Sequence, residues 1–289
     1  ILETEDSPIT IKQNVAFIWN KRIKMDNHLI KLENESIYIF RQSYRSIKNI
    51  AMLWSLGKDS NVMMWLAFKA FFGKLPFPVV HVDTKKKFKE MYEFRNIYEK
   101  KWNLNLIKGN CPDIKEIDPS LPPAARSAAR KTAGLKKILD KYKFKGVIAG
   151  IRRDEQGTRA KERIFSPRDE SGKWDIKNQP PEFWDQSNFN YPDSVHIRIH
   201  PLLGWTEIDI WRYIKAQKIP IVDLYFSKNG KRYRSLGDKD ITFPVESNAS
   251  NIDEIIEELK ITKVSERSGR AMDHEREDVF ENLRTKGYM

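Results

Sequence analysis

The sequence has a single cysteine, Cys111, in 289 residues. That excludes a disulfide framework and any four-cysteine zinc or iron–sulfur centre built within one chain. It also points to a reducing compartment, the cytoplasm. Long apolar runs are lacking too. The longest, residues 62–68, ends at Lys69, whereas a bilayer span needs about 20 such residues. No membrane segment is expected. Histidines number five and do not cluster. His196 and His200 have the i, i+4 spacing of a helical zinc pair, but residues 195–200 alternate as a strand does. Four residues of strand separate two side chains by about 13 Å, so a zinc pair is not expected there. The opening residues carry Glu3, Glu5 and Asp6 with no apolar core behind a basic start, which does not read as a secretory signal. Because the chain opens at Ile1 and not Met, a few residues ahead of it are expected to be missing. There is no internal repeat and no low-complexity tract.

What is present is a globular composition, with 40% hydrophobic and 32% charged residues. Lysine and arginine total 52 against 40 acidic residues, a net charge of +12. Such a field either keeps a lysine-rich surface soluble or attracts an anion: nucleic acid, a nucleotide or a small oxyanion. A nucleic-acid-binding module would show a basic stripe with interleaved aromatics. The basic residues are instead spread through helices that also contain acids, so no nucleic-acid partner is expected.

Hydrophobic periodicity predicts a helix over 28–47, a buried strand over 50–54 and a helix over 59–72 closed by Gly73 and Pro76. A strand over 78–82, a helix over 88–102, a strand over 104–107, a helix over 124–142 and a strand over 146–150 follow. Alternating strands and helices give an α/β fold: a doubly wound, mostly parallel sheet covered on both faces. Right-handed crossovers place the strand C-termini on one edge, where ligands bind near a switch point. Residues 151–192 are polar and too long for an ordinary connector. Helices return over 206–214, with Thr206 as N-cap, and over 253–260.

The strand ends hold the chemistry. Ser55-Leu56-Gly57-Lys58-Asp59-Ser60 leads from the first strand straight into a helix. Unpaired N–H groups of the first turn, the helix dipole and Lys58 make an anion cradle that Gly57 lets a ligand approach. An ordinary turn capped by Asp59 or Ser60 reads equally well. The Walker A spacing is absent. Asp83, after the second strand, suits a ribose hydroxyl or magnesium, or a helix cap. Lys85, Lys86 and Lys87 read as a solvated run. After the fourth strand, Gly150 is followed by Arg152, Arg153, Arg159, Lys161 and Arg163, five basic residues in twelve positions. Arginine forks clamp tetrahedral oxyanions. The interleaved Asp154, Glu155 and Glu162 offer the competing picture of a salt-bridged surface helix. The position on the ligand edge favours the clamp.

Residues 55–60 resemble the pyrophosphate-binding loop (PP-loop) of the adenine-nucleotide α-hydrolases, the ATP pyrophosphatases. Within them the chain resembles the small, catalytic subunit family of bacterial and archaeal sulfate adenylyltransferase. Leu32-Glu33-Asn34-Glu35-Ser36-Ile37, Leu75-Pro76-Phe77-Pro78 and Glu90-Met91-Tyr92-Glu93-Phe94-Arg95 carry the likeness. So do residues 150–163, Trp174-Asp175, Lys177-Asn178-Gln179, Trp205-Thr206-Glu207 and Asp209-Ile210-Trp211. Val245-Glu246-Ser247-Asn248-Ala249 and Gly287-Tyr288 extend it to the end.

The resemblance implies ATP and sulfate as substrates, magnesium on the phosphates with Asp59 as a metal contact, and a GTPase large subunit as partner. It implies sulfate assimilation as the setting and is compatible with a homo-oligomer. ATP would lie against residues 55–60, Asp83 and Gly150. Lys58, Asp59, Arg153 and Arg163 would be catalytic, and Arg152, Arg153, Arg159, Lys161 and Arg163 would hold sulfate and the α-phosphate. Lys85-Lys86 stands where the family usually has Gly-Trp, and residues 223–243 are shorter than in many members. The expected organisation is an arm over 1–27, an ATP pyrophosphatase-like domain over 28–220 and an irregular extension over 221–289 for partner or oligomer contact. The nearest alternative is an adenylyl-sulfate or phosphoadenylyl-sulfate reductase. That chemistry needs a nucleophilic thiolate, usually on a C-terminal tail, and no cysteine follows Leu236.

Overall fold

A computed structural model describes residues 25–169, 172–175, 179, 182, 195–264 and 266. The arm up to residue 24, Lys177, Asn178, Trp184 and the tail beyond 266 lie outside the described residues. Helix α1 (Asn27–Ser46) starts at the N-cap Asp26, whose side chain accepts from the Leu29 amide, and buries Leu29, Leu32, Ser36, Ile39, Phe40 and Ser43. This is the i, i+3, i+4 stripe of a helix lying on a core. Strand β1 (Ile50–Leu53) is buried throughout. Then come α2 (Lys58–Ala70), β2 (Val79–Asp83), α3 (Lys89–Lys101), β3 (Leu106–Asn110), α4 (Pro123–Tyr142) and β4 (Gly146–Ile148). A short α5 (Gly157–Ala160), β5 (Phe165–Arg168), β6 (His196–Ile199) and α6 (Glu207–Gln217) follow. The last elements among the described residues are the small pair β7 (Lys231–Arg232) and β8 (Val245–Glu246), then α7 (Ile252–Ile261).

The six-stranded sheet has the order β3-β2-β1-β4-β6-β5. The pairs are parallel except β5 with β6. The chain moves outward from β1 to β3, then returns to place β4 on the other side of β1. A right-handed crossover on a reversed path must lay its helix on the opposite face. Accordingly Met91 and Phe94 of α3 join the cluster containing Ile50 and Met52. Leu135 and Ile138 of α4 join the one containing Ala51 and Leu53. Alternate residues of β1 thus face opposite layers. The reversal leaves a crevice at the C-terminal ends of β1 and β4.

Packing beneath α4 is tight. A Cβ on Gly109 of β3 would lie 2.0 Å from Cδ1 of the buried Ile138. Gly109→Ala is therefore expected to cost about 1–3 kcal/mol by overpacking, measurable as a lowered urea midpoint with an unchanged slope. A stability equal to the original would show that α4 repacks freely.

Three features differ from the sequence expectations. Strand β3 begins two residues later than expected, because its pairing carries it through the polar Lys108, Gly109 and Asn110. Strand β5 was not expected. It is short, lies at the sheet edge and contains Pro167, a residue that sheets accept chiefly at edges. Finally, Val222, Tyr225, Leu236, Ala249, Ile255 and Ile256 share the core of Ile50 and Met52. Among the described residues, the part of the segment from 222 to 256 that carries these side chains is a wall of the domain. The strand alternation of residues 195–200 is realised in β6, and Thr206 caps α6 in a reciprocal box with Asp209.

Candidate active site

The loop after β1 is held from several sides. Leu56 takes a left-handed conformation at φ 70°, uncommon without glycine, with its side chain fully buried. Gly57 is the extended N-cap of α2 and makes no side-chain cap bond. The Ser60 hydroxyl donates to the Gly57 carbonyl at 2.9 Å, and Ser55 Oγ donates to Ser60 Oγ at 3.2 Å. The Lys58 amide donates to Tyr225 Oη at 2.9 Å. Asn61 accepts from the Trp54 indole at 2.8 Å and donates to the Pro220 carbonyl at 3.1 Å. Buried His81 lies 2.9 Å from the Trp54 carbonyl through Nδ1. Burial, then Lys87, lower its pKa to about 3. The neutral ring therefore donates Nδ1–H to that carbonyl.

This loop and the end of β4 open into one cleft of about 220 Å³. Ser55, Gly57, Lys58, Asp59, Ser60, Gly150 and Arg159 all line it. A Cβ on Gly150 would stand 3.6 Å from the Asp59 carbonyl, so the two stretches adjoin. Leu53, Val80, Val82, Leu135 and Ala149 form an apolar slot in the same cleft.

At the base of the cleft lies a ring of four charges. Lys58 pairs with Asp59 at 3.3 Å and with Glu266, and Arg152 pairs with Asp59 and Glu266. Arg152 is fully buried. It also donates Nε to Asp154 at 2.9 Å, whose other oxygen accepts from the Glu207 amide at 2.7 Å. Glu207 in turn accepts a fork from Arg234, its shortest bond 2.7 Å, and Lys58 Nζ contacts the Arg234 carbonyl at 3.5 Å. Burial alone would raise the Glu266 carboxyl, but Arg152 and Lys58 hold it well below the usual carboxylate range. Burial opposes the Arg152 charge, and Glu266, Asp154 and Glu207 reverse that effect, raising its pKa.

The basic run after Gly150 is split by its local structure. Residues 153–155 form a 3₁₀ turn and 157–160 the short α5, so successive side chains radiate. Arg159 reaches the cleft and pairs with Glu155. Arg152 sits behind the lining, engaged by three carboxylates. Arg153 does not face the cleft: its side chain is 42% exposed and approaches the Glu162 carbonyl at 3.4 Å and Glu182 at 3.9 Å. Lys161 is exposed, and its carbonyl accepts from Gln179. Arg163 is half-buried with its carbonyl against His200. Neither lines the cleft. The role expected of Arg153, Lys161 and Arg163 as an oxyanion clamp does not fit this placement. Asp83 does not fit its ribose or magnesium role either. It accepts from the Lys85 amide at 2.8 Å, Tyr92 at 2.8 Å and Arg95 at 3.0 Å, away from the lining.

Other residues reach the site without a signal in sequence. Of the three lysines read as solvated, Lys87 is buried at 6% side-chain exposure and lines the cleft. Lys131 of α4 lines it too, as do Glu155, Tyr225 and Leu236. Asp238 ties these walls together. Its carboxylate accepts from Thr84 at 2.7 Å, Ser127 at 2.7 Å and Lys131 at 2.8 Å, with Lys87 at 4.0 Å. The return of the chain between β3 and β4 and the packing of the segment carrying Tyr225 and Leu236 bring these neighbours together.

The chain matches the model of the phosphoadenosine phosphosulfate reductase domain over residues 49–244. It is 43% identical to sulfate adenylyltransferase subunit 2 of Pseudomonas paraeruginosa, covering 90% of this chain and 98% of that one. The chain belongs to the sulfate adenylyltransferase subunit 2 family. This is a family of nucleotidyltransferases, in agreement with the resemblance carried by residues 55–60 and 150–163. The same protein of Sulfurimonas denitrificans is also 43% identical, over 90% of this chain and 97% of its own. Among solved structures, FMN adenylyltransferase of Candida glabrata in complex with ATP has a TM-score of 0.54 and 17% identity, over 87% of this chain and 80% of that chain. That likeness shows the shared fold.

Proposed function

We propose that this chain transfers the adenylyl group of ATP to sulfate, giving adenosine 5′-phosphosulfate and pyrophosphate. The observation that carries the reading is the single cleft in which the amide-rich start of α2 and the end of β4 meet, in a chain of this family. The apolar slot suits a purine ring. The β- and γ-phosphates lie at the N-terminus of α2, where the dipole and Lys58 favour anions. Sulfate attacks the α-phosphorus in line, and the pyrophosphate leaves along the cradle. Such a step is mainly positioning and charge stabilisation. Arg159, Lys87 and Lys131 supply the further positive charge on the cleft wall.

Asp59, Glu155 and Glu266 bring carboxylate oxygens within 4.8 Å of one another, a donor set that suits a hard divalent cation. Asp59 and Glu155, which line the cleft, would hold magnesium, and the ion would neutralise phosphate charge. The relatives' designation as subunit 2 implies a partner subunit. We assign that role to a GTPase, whose hydrolysis offsets the high free energy of the product anhydride. A reductase reading is disfavoured by Cys111. It is half-buried and packed near Gly134 outside the cleft lining, and burial raises its thiol pKa.

The test is pyrophosphate release from ATP and magnesium with sulfate or molybdate, with and without the GTPase partner. Sulfate-dependent release is expected; no nucleotide turnover under any combination would reject the reading. The same assay separates the arginines. Arg159→Ala is expected to lower kcat/KM for sulfate about 100-fold or more, and Arg153→Ala by less than about threefold. The reverse order would return the clamp to Arg153.

A further inference from the structure

We propose that Glu266 is a positioning residue of the site, holding Lys58 and Arg152 in the alignment that receives the departing pyrophosphate. The inference rests on the adenylyl-transfer reading above. Glu266 comes from the segment after α7, separated by 208 residues from Lys58 and by 114 from Arg152. Its two oxygens are divided between them: Oε1 takes the Lys58 ammonium and Oε2 the Arg152 guanidinium. With Asp59, which touches both cations from another side, it closes a ring of alternating charge. Lys58, Arg152 and Glu266 are all nearly or wholly buried.

Buried ion pairs are a poor source of net stability, because desolvation consumes most of the attraction. What a closed ring does supply is fixed direction. Lysine is a point charge on a flexible four-carbon stem. Without Glu266, Lys58 keeps Asp59, its neighbour in sequence, and can fold down onto it. Glu266 gives the ammonium a second carboxylate and so fixes it between two acceptors. It likewise holds the second fork of Arg152, so that Asp59 and Asp154 do not rotate the guanidinium. The ring's formal charge is zero, and removing the Glu266 charge leaves it at +1.

That arithmetic separates positioning from mere support. In Glu266→Gln the amide nitrogen must face one of the two cations, so the ring opens while the cradle gains positive charge. Inorganic pyrophosphate is expected to bind about 3- to 10-fold more tightly by calorimetry. The kcat for sulfate-dependent pyrophosphate release is expected to fall about 30-fold or more. Glu266→Asp keeps the charge but is one methylene short. It should leave pyrophosphate affinity within about twofold and recover at least about a tenth of the original kcat. A purely structural carboxylate would instead lower kcat and pyrophosphate affinity in parallel with the melting temperature. Parallel loss, or a Gln variant within threefold of the original kcat, overturns the proposal. If Glu266→Gln does not fold, Glu266→Asp decides alone: reduced kcat at unchanged pyrophosphate affinity supports it, and joint loss overturns it. Should the unaltered protein bind pyrophosphate yet show no sulfate-dependent turnover, the adenylyl-transfer reading fails. Glu266 is then judged by binding: tighter pyrophosphate in the Gln variant supports it, unchanged or weaker overturns it.

Discussion

Arg152→Ala is expected to destabilise the protein by about 3–5 kcal/mol and to lower sulfate-dependent turnover by about 10³-fold. Arg152 is wholly buried and faces Asp59, Asp154 and Glu266. Its loss leaves the buried Glu266 and the largely buried Asp59 with Lys58 as the one remaining cation of the ring, and takes the guanidinium from the part-exposed Asp154. A buried charge stripped of its partner is far more costly than the pair was worth. The carboxylates would then protonate, or draw Lys58 out of the cradle. Arg152→Lys is expected to restore part of the stability but little of the rate, since an ammonium cannot reach three acceptors in a planar fork. Urea unfolding and pyrophosphate release measure the two effects separately. A near-original midpoint together with a near-original rate in Arg152→Ala would remove the ring from any account of this site.

The second large effect is expected at Asp238. Its carboxylate ties Thr84 after β2 and Ser127 and Lys131 of α4 to the strap whose Ser235, Leu236 and Gly237 line the cleft. Asp238→Ala takes away the carboxylate that Lys131 pairs with and Lys87 approaches, and frees that strap. We expect a cost of about 3–5 kcal/mol and a KM for ATP raised about tenfold or more. The pH dependence has a definite sign. Burial pushes the Asp238 carboxyl up, but Lys131 and Lys87 and the hydrogen bond from Ser127 pull it down further, to a net value below the ordinary one. A carboxyl with a depressed folded pKa stabilises fully above its unfolded pKa of about 3.9 and loses that contribution as pH falls toward the folded value. Unfolding free energy measured downward from pH 5 should therefore drop more steeply in the original protein than in Asp238→Asn. Equal slopes would mean that Asp238 is not the carboxylate holding the strap.

Much of the architecture was legible because helices and buried strands announce themselves through local spacing. Leu29, Leu32, Ile39 and Phe40 repeat at helical intervals, and Ile50–Leu53 is a short apolar run before a glycine. Edge elements were harder. In β3 and β5 one side of the pairing is absent, so Lys108, Asn110 and Pro167 are tolerated and the pattern blurs. The turn at residues 55–60 was readable for the same local reason as the helices: loop, glycine and lysine are contiguous. Which cations after Gly150 face the cleft was not. A basic run tells how many cations are available, and the 3₁₀ turn at residues 153–155 decides which way each one points.

The sequence by itself determined an α/β protein with a mostly parallel sheet, a glycine- and lysine-bearing turn from the first strand into a helix and a family to which 43% identity ties it. It determined these because each depends on residues near one another in the chain. Tertiary structure alone decided that Lys87, Lys131, Glu155 and Tyr225 share a cleft with Lys58, that Arg153 does not, and that Glu266 lies against Arg152. Those neighbours are separated by tens to hundreds of positions. They meet because the return crossover between β3 and β4, and the burial of Tyr225, Leu236 and Glu266 beyond residue 220, bring together charges whose partners no local pattern names.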